Sequence, residues 1–440
     1  MAELPLLNVL SGQKPREIAA RVLHERESGA GGFVEDILEK ALARPRLSPA
    51  NRRLVQELVY GVVRWQATLD WLIALRTKCR AQKPMLQILL RLGLYQIFWL
   101  DRVPNHAAVH ETVELAKRSG CAPQAGFVNA VLRGCLREFE PTRQRLSELK
   151  ETQPSLGYSH PDWLATRWQD RWGAEKSARL MQWNNTPPGT TARVNALKVD
   201  PGSLLAQWRD EQVEYDFIRR DWLDENLVFE LTAHPPLATL PSFRRGWFYV
   251  QDPSTLLSVC KLDPQPGESI LDLCAAPGGK TAYIAQLMQN QGRLIAHDTD
   301  PQRLKLIDEN CARLGVTCAE TVLPEALDLR PSTLDRVLVD APCSNTGVMR
   351  RRVDLRWRIR PEEIRRLRKV QDELLRQAAP LLKPGGTLVY STCSLEPEEN
   401  RESIEQFLRE QPDFRLADQR ELLPFVDGVD GAYVARLERV

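Results

Sequence analysis

The second half of the chain alternates short apolar segments with amphipathic ones, and this alternation limits the folds that the chain can adopt. From about residue 265, strand-like segments such as "ESILDL" and "TLDRVLVDAPC" are followed by turns and by segments of helical periodicity, such as "PQRLKLIDENCARLG". Strands that alternate with helices predict an α/β fold with a doubly wound, mostly parallel sheet. Ligands of such sheets bind at the carboxyl ends of the strands, so functional residues are expected in the loops that follow them.

The first part of the chain has a different pattern. Residues 14 to 140 show apolar positions at helical spacing and no convincing strand, which predicts an all-α bundle. The segment "KPMLQILLRLGLYQIFWL" is apolar nearly all round and is expected to be the buried central helix. Pro104 and Asn105 are expected to begin another helix.

Prolines and tryptophans become more frequent after residue 141, and the segments "NNTPPGTTARVNALKVD" and "RRGWFYVQDPS" resemble short strands bounded by turns. A small α+β module is therefore expected here. The predicted division of the chain is an all-α part at 1–140, the small module at 141–260 and the doubly wound domain at 261–440.

Composition excludes some classes of protein. No apolar run approaches the roughly 20 residues of a membrane span, and the first 20 residues lack the pattern of a secretory signal peptide. A cytoplasmic protein without membrane contact is predicted, and no feature indicates more than a monomer.

The cysteines are nine in number and scattered, with no C-x-x-C pair, which argues against both a disulfide framework and a metal site. Most are expected to be reduced, buried and small apolar residues. They are Cys79, Cys121, Cys135, Cys260, Cys274, Cys311, Cys318, Cys343 and Cys393.

Arginine is concentrated in the run "RRRVDLRWRIRPEEIRRLRKV", residues 350 to 370, although the net charge of the chain is only +2. Such a run attracts polyanions, and it equally fits a solvated helix face. The sequence leaves both interpretations open.

The segment "LDLCAAPGGKT" holds the first candidate binding loop. Gly278 and Gly279 lie between a predicted strand and a predicted helix, where backbone amides can approach a ligand closely. A phosphate-binding loop needs a glycine at the position of Cys274 to make its turn, so the segment does not fit an ATP-binding loop. The preceding Asp272 also makes the loop unsuited to a pyrophosphate.

Asp298 ends the next predicted strand, where nucleotide-binding sheets place a carboxylate for ribose hydroxyls. Taken alone, Asp298 could be a helix N-cap. Together with the glycine loop it favours an adenosine ligand without phosphates, and S-adenosylmethionine is the common one.

Two cysteines follow two further strands: Cys343 in "VLVDAPCSNTG", after Asp340, and Cys393 in "LVYSTCSLEPEEN". Two thiols beside a methyl-donor loop fit methylation of cytosine at C5, which is too weakly nucleophilic to react directly. A thiolate that adds to C6 activates C5 for methylation; a base then removes the C5 proton and the thiolate leaves. Spacing alone does not decide which cysteine attacks.

The residues around Cys393 suggest how a thiolate could form there. Pro397 fits the first position of a helix, whose free amides would point back toward the strand end and lower the thiol pKa. The acidic "EPEE" is expected to complement the positive end of that helix and to take no part in the reaction.

The motifs "DLCAAPGGKT", "DAPCSNTG" and "YSTCSLEPEENR" together resemble the three signature motifs of the RNA cytosine-C5 methyltransferases of the Nol1/Nop2/Sun family. The segment "FVNAVLRGCLR" resembles the NusB-like helical domain that one bacterial branch carries. The resemblance covers nearly the whole chain. It implies a Rossmann-like class I methyltransferase domain, S-adenosylmethionine as cofactor and 16S ribosomal RNA as partner.

The resemblance also implies roles for individual residues. It makes Cys393 the nucleophile and Cys343 the helper in product release. Contacts to S-adenosylmethionine are implied for Asp298, for Asp340, which also lies close to the target base, and for the loop residues Cys274, Ala275, Ala276, Pro277, Gly278, Gly279 and Lys280.

Two positions depart from the family pattern. An acidic residue usually follows the third strand, and this chain has Pro324 at about that place with Glu325 next to it, so no adenine contact is assigned there. The arginine run keeps the Asp354 and Trp357 of a family motif but adds charge. Alternatives are a transfer RNA methyltransferase, a non-catalytic NusB-like RNA-binding factor and, with less support, a DNA cytosine methyltransferase.

Overall fold

The computed structural model describes residues 14–29, 32–43, 47–323 and 330–440. The chain forms two compact units. One comprises Met1–Pro187 and Met349–Arg358, and the other comprises Pro188–Val348 and Ile359–Val440.

The first unit is helical throughout its described residues, as predicted for residues 14 to 140, and its helices continue beyond the predicted range to Asn184. Helix α5 has buried residues on every face and confirms the prediction of a central helix. Another helix begins at Asn105 after Pro104, as expected. The helices are α1 (Pro15–Glu27), α2 (Val34–Ala43), α3 (Pro49–Arg64), α4 (Gln66–Thr77), α5 (Pro84–Trp99), α6 (Asn105–Arg118), α7 (Ala125–Arg137), α8 (Phe139–Thr152), α9 (Pro154–Gly157) and α10 (Asp162–Asn184).

A four-stranded antiparallel sheet begins the second unit. Its strands are β1 (Thr190–Val194), β2 (Glu214–Phe217), β3 (Val228–Ala233) and β4 (Phe248–Val250), in the order β2-β3-β1-β4. Trp208, Phe229 and Phe248 form its core together with helix α11 (Pro201–Asp210). The predicted strand segments correspond to β1 and β4, and a helix α12 (Pro241–Arg244) precedes β4.

A seven-stranded sheet forms the rest of the second unit, in the order β10-β11-β9-β8-β5-β6-β7. Neighbouring strands from β9 to β7 pair in parallel, and β11 pairs antiparallel with both of its neighbours. The strands are β5 (Ser269–Asp272), β6 (Arg293–His297), β7 (Ala319–Val322), β8 (Leu334–Asp340), β9 (Leu382–Thr392), β10 (Phe414–Leu422) and β11 (Ala432–Arg439).

Helices cover both faces of this sheet. Ile270 of β5 packs in one apolar cluster with α14 and α15, whereas its neighbour Leu271 packs in a second cluster with α17 and α18. This arrangement confirms the predicted doubly wound, mostly parallel α/β fold. The helices are α13 (Leu257–Leu262), α14 (Gly279–Leu287), α15 (Pro301–Leu314), α16 (Leu355–Arg358), α17 (Pro361–Ala378), α18 (Arg401–Glu410) and α19 (Pro424–Asp427), of which α16 belongs to the first unit.

The segment Met349–Arg358 carries the first half of the arginine run into the core of the first unit. Arg356 is fully buried and donates hydrogen bonds to the backbone carbonyls of Arg64 (3.2 Å), Ser159 (3.3 Å) and Asn184 (2.9 Å). Burial holds the pKa of the Arg356 guanidinium well below its usual value. This arginine therefore serves the fold and is inaccessible to a polyanion.

The second half of the run lies on α17, where Arg365 and Arg366 belong to a solvated helix face and Arg368 is largely buried in a pair with Asp372. Arg365 pairs with Glu362 at 2.9 Å and Arg366 pairs with Glu363 at 2.6 Å, all on the exposed side of the helix. The run is thus not one continuous basic surface.

No helix within the described ranges combines the length and the apolar character that crossing a bilayer requires.

All nine cysteines are free, as predicted. The expectation that most of them are buried is wrong. Four are buried, four are half-buried and Cys79 is exposed. Cys393 is among the half-buried ones.

Candidate functional site

The strands β5, β8 and β9 are neighbours in the seven-stranded sheet and run in the same direction. Their carboxyl ends therefore meet at one edge, which brings together the three loops that carry the predicted site residues. The loop after β6 joins them from the other side of β5.

The loop after β5 holds the seven predicted residues Cys274 to Lys280. Gly278 has a φ of +97° and occupies the N-cap position of α14. Any other residue would be strained there, and a Cβ would lie 3.2 Å from the backbone Cα of Ile307. The glycine is thus required for the chain to turn from strand into helix at this point.

Asp298, directly after β6, lies against this loop. Its Oδ2 accepts a hydrogen bond from the amide of Ala276 at 3.3 Å, and its side chain is almost fully buried. The N-cap of α15 is Asp300, whose carboxylate accepts from Gln302 N at 2.8 Å. The structure therefore excludes the N-cap alternative for Asp298.

Asp272 ends β5 and is completely buried. Its Oδ2 accepts a hydrogen bond from Thr281 Oγ1 at 2.8 Å, while its Oδ1 has no hydrogen-bond partner among the described residues. Burial raises the pKa of this carboxyl to about 7. The sequence identified Asp272 only as the acidic residue before the loop. In the structure its carboxyl group is buried and bonds to Thr281 in the helix that follows the loop.

Asp340, at the end of β8, connects two of the loops. Its Oδ2 pairs with Lys280 Nζ at 2.5 Å and its Oδ1 accepts from Ser391 Oγ at 2.7 Å. Burial alone would lower the pKa of Lys280, but attraction to Asp340 and to Cys393 outweighs it and raises the pKa. Lys280 is thus held as a cation beside both groups.

The two predicted cysteines lie side by side, with 3.3 Å between their Sγ atoms. The Cys393 thiol donates a hydrogen bond to Asn345 Oδ1 at 2.9 Å, and Asn345 Nδ2 donates to the carbonyl of Cys343 at 2.7 Å. Cys343 is buried, whereas Cys393 is partly accessible. The hydrogen bond to Cys393 and burial hold the pKa of the Cys343 thiol well above its usual value.

Gly347 gives the chain room to pass beside Cys393. Its amide donates to the Cys393 carbonyl at 2.9 Å, and a Cβ on Gly347 would lie 2.8 Å from that oxygen. Neither Asn345 nor Gly347 was assigned a role from the sequence, because each acts through a contact with Cys393, which lies more than 40 residues later in the chain.

Pro397 is the first residue of a short 3-10 helix, Pro397–Glu399, as expected. The two amides before this helix are occupied by hydroxyl groups: the Leu395 amide donates to Thr346 Oγ1 at 2.9 Å, and the Glu396 amide donates to Ser394 Oγ at 2.9 Å. The effect of the helix amides on the Cys393 thiol stays a prediction.

One residue of "EPEE" does more than complement a helix end, while the expectation that the segment takes no part in the reaction stays a prediction. Glu399 is fully buried and accepts hydrogen bonds from residues next to both cysteines. Pro324 and Glu325, where the family pattern has its acidic residue, lie outside the described residues.

Family models match three parts of the chain. A NusB family model matches residues 13–137, and a ferredoxin-like domain model of RsmF/B-like methyltransferases matches residues 160–229. The model described as 16S rRNA methyltransferase RsmB/F matches residues 259–438, the part that carries the two cysteines and the glycine loop.

Relatives match over nearly the whole length. A probable ribosomal RNA small subunit methyltransferase B of Bacillus subtilis is 36% identical, over 96% of this chain and 98% of the relative. The ribosomal RNA small subunit methyltransferase B of Klebsiella pneumoniae is also 36% identical, over 93% and 96%. The crystal structure of PH0851 has a TM-score of 0.77 and 25% identity, over 97% of this chain and 99% of that chain. The chain belongs to the RsmB/F family of 16S rRNA methyltransferases.

Proposed function

We propose that this protein transfers a methyl group from S-adenosylmethionine to C5 of a cytosine in 16S ribosomal RNA, with Cys393 as the nucleophile. The observation that carries the proposal is the pair of thiols 3.3 Å apart, beside a Lys280–Asp340 ion pair and a glycine loop. The names of the relatives supply the class of substrate.

The residues at the strand ends fit S-adenosylmethionine. Asp272 Oδ1 is a buried acceptor without a partner among the described residues, which a donor group of a ligand would satisfy. Asp298 is held at the loop by Ala276 N, in the position for ribose hydroxyls. The loop residues 274–280, Asp298 and Asp340 would hold the cofactor, which supplies an electrophilic methyl group when bound.

The surroundings of the two thiols distinguish their roles. Cys393 is the accessible one, and the Lys280 cation attracts its thiolate. Cys343 is buried and its pKa is raised, so it stays a neutral thiol. Cys393 therefore attacks C6 of the cytosine and forms a carbon–sulfur bond, which makes C5 nucleophilic.

Release of the product reverses the first bond. A base removes the C5 proton of the methylated adduct, the electron pair forms the C5–C6 double bond, and the C6–sulfur bond breaks. The negative charge returns to Cys393 Sγ, to which the neutral thiol of Cys343 can donate a hydrogen bond at 3.3 Å. Cys343 thus assists departure of Cys393.

The target base must leave its stack to reach these groups, because the thiolate approaches C6 from the face of the ring. Asp340 is fixed by Lys280 and Ser391, and in this proposal it lies close to the target base.

We also propose that the chain divides functionally into parts 1–140, 141–260 and 261–440, and that the first two parts hold the RNA. The protein acts as a monomer in the cytoplasm, without a metal ion.

Bisulfite sequencing of ribosomal and transfer RNA from a deletion strain tests the substrate. One cytosine of 16S ribosomal RNA is expected to lose its methyl group and to regain it when the gene is restored. Loss of a site in transfer RNA alone would contradict the ribosomal assignment. Methylation of the 16S site by the purified protein with S-adenosylmethionine excludes a non-catalytic RNA-binding factor.

A further inference from the structure

The carboxylate of Glu399 has four hydrogen-bond donors around it, although the residue is completely buried. Its Oε1 accepts from Ser344 N at 2.8 Å and from Gln371 Nε2 at 3.0 Å. Its Oε2 accepts from the hydroxyl groups of Ser344 and of Ser394, the latter at 2.5 Å. Such a set of donors satisfies a carboxylate and stabilises its charged form.

The two serines are the residues that directly follow the two cysteines. Ser344 follows Cys343 in the loop after β8, and Ser394 follows Cys393 in the loop after β9. Their hydroxyl oxygens are 2.9 Å apart, and both hydroxyls donate to the same Glu399 oxygen. One carboxylate therefore fastens the two cysteine loops to each other.

Glu399 is itself held firmly in place. The Tyr390 hydroxyl donates to the Glu399 carbonyl at 2.6 Å, and Gln371 Nε2 donates to the Pro342 carbonyl at 2.9 Å as well as to Glu399. The backbone of Glu399 is thus held by β9 and its side chain by α17. A side chain anchored in this way can transmit its position to both loops.

The carboxylate matches the donors of the two cysteine loops. Burying a charge is costly unless hydrogen bonds compensate it, and an apolar side chain here would leave the Ser344 amide and the two serine hydroxyl groups without this acceptor. Burial raises the pKa of Glu399, while the hydrogen bonds from Ser344, Ser394 and Gln371 oppose the rise. The nearby negative charge also adds to the raised pKa of Cys343. The charge of Glu399 thus helps to keep Cys343 the neutral thiol.

We propose that Glu399 is a positioning residue of this site: by binding Ser344 and Ser394 it sets the distance between the two thiols and keeps Cys393 the more reactive one. The inference rests on the proposed function, in which the two cysteines have different tasks. It assigns Glu399 no contact with RNA or cofactor. A displacement of about 1 Å between reacting groups can reduce a rate about 100-fold, which is the scale of the effect expected here.

The test compares Glu399→Gln with Glu402→Gln, a control on the exposed surface of α18. Each folded protein is treated with iodoacetamide in the absence of RNA and cofactor, and mass spectrometry follows alkylation of Cys343 and Cys393 separately. In the unmodified protein and in Glu402→Gln, Cys393 is expected to react faster. In Glu399→Gln the ratio of the two rates is expected to fall about tenfold, the effect of one pKa unit on a thiolate fraction.

A second measurement follows methylation. Glu399→Gln is expected to lower kcat about 100-fold while KM for S-adenosylmethionine stays at the control value, since Glu399 does not touch the loop 274–280. An unchanged alkylation ratio in a folded Glu399→Gln protein overturns the inference. If that variant does not fold, Ser344→Ala and Ser394→Ala take its place, and unchanged ratios in both overturn it equally.

The alkylation assay needs neither RNA nor methyl donor. A changed ratio together with no methylation of 16S ribosomal RNA by the unmodified protein would reject the proposed substrate and leave the positioning role intact. An unchanged ratio in a protein that methylates normally would reject the positioning role alone.

Discussion

Cys343 and Cys393 are 50 residues apart in the chain, and their Sγ atoms lie 3.3 Å from each other. They reach this distance because β8 and β9 are neighbouring parallel strands and each cysteine follows the end of its strand. The two thiols are not equivalent, since Cys343 is buried and Cys393 is partly accessible. Their substitution should therefore give different results.

Cys393→Ala is expected to abolish methylation, because burial raises the pKa of Cys274, the half-buried thiol after β5, and Cys343 is buried, so that neither replaces Cys393 in the attack on C6. Cys343→Ala is expected to form the adduct with RNA but to release it slowly, so that a covalent complex accumulates. Denaturing gels of each variant with labelled RNA and S-adenosylmethionine distinguish the two results. Cys79→Ala, at an exposed position in the helical unit, is the matched control and should behave as the unmodified protein. A covalent complex in Cys393→Ala in place of Cys343→Ala would reverse the assigned roles.

Lys280→Met should lower the rate of methylation, because it removes the cation that Asp340 and the Cys393 thiolate share. We expect a fall in kcat of about 100-fold, the scale found when one charge-stabilising group is removed from an active site. Rapid quench measurements of a single turnover would show this fall as a slower formation of methylated RNA.

The control for Lys280 is Lys383→Met. Lys383 pairs with Asp335 at 2.6 Å, but this pair is partly exposed and lies at the opposite ends of β8 and β9. Exposed pairs contribute little to stability, so this variant should keep the normal rate. Equal effects of the two substitutions would show that general loss of charge, and not the position of Lys280, explains the result.

The sequence predicted those parts of the fold that depend on apolar periodicity. The central helix α5 and the strands β5, β6, β8 and β9 are buried and have clear patterns. Strand β10 was missed because five of its nine side chains are exposed and four are charged, so "FRLADQREL" shows no apolar alternation. It becomes a strand by pairing with β11.

Contacts between distant parts of the chain could not be predicted from the sequence. Arg356 bonds to a carbonyl 292 residues earlier, and nothing in a run of arginines distinguishes the buried one from its exposed neighbours. The motifs indicated the glycine loop and both cysteines, since those residue types suggest their chemistry directly. Glu399 was misinterpreted because its acidic neighbours fit a helix start, while its actual partner Ser344 is 55 residues away.

Asp272 should make stability depend on pH. Its pKa in the folded protein, raised by burial to about 7, exceeds the ordinary value of 3.8, so ionisation opposes folding. The cost is absent below about pH 4, grows as the pH rises toward 7 and is then constant. At about 1.4 kcal/mol per pKa unit, it is on the order of 4 kcal/mol.

Asp272→Asn removes this cost, so its melting temperature relative to the unmodified protein should rise between pH 5 and pH 8. Differential scanning calorimetry across this range, without S-adenosylmethionine, measures the difference. Asp216→Asn, on the exposed edge of β2, should follow the unmodified protein at every pH. A constant difference between Asp272→Asn and the unmodified protein would show that Asp272 does not change its ionisation in this range.

Arg356→Met should destabilise the helical unit, although methionine fills much of the same space. The substitution leaves the carbonyls of Arg64, Ser159 and Asn184 without their donor, and each buried unsatisfied group costs about 1 to 3 kcal/mol. We expect a loss of at least about 3 kcal/mol in the free energy of unfolding.

Arg365→Met is the matched control from the same arginine run, and its exposed pair with Glu362 is worth at most about 0.5 kcal/mol. Urea denaturation followed by circular dichroism gives both values, and hydrogen exchange should show faster exchange in α3 and α10 for Arg356→Met alone. Equal losses for the two variants would mean that the three carbonyls find other donors when Arg356 is removed.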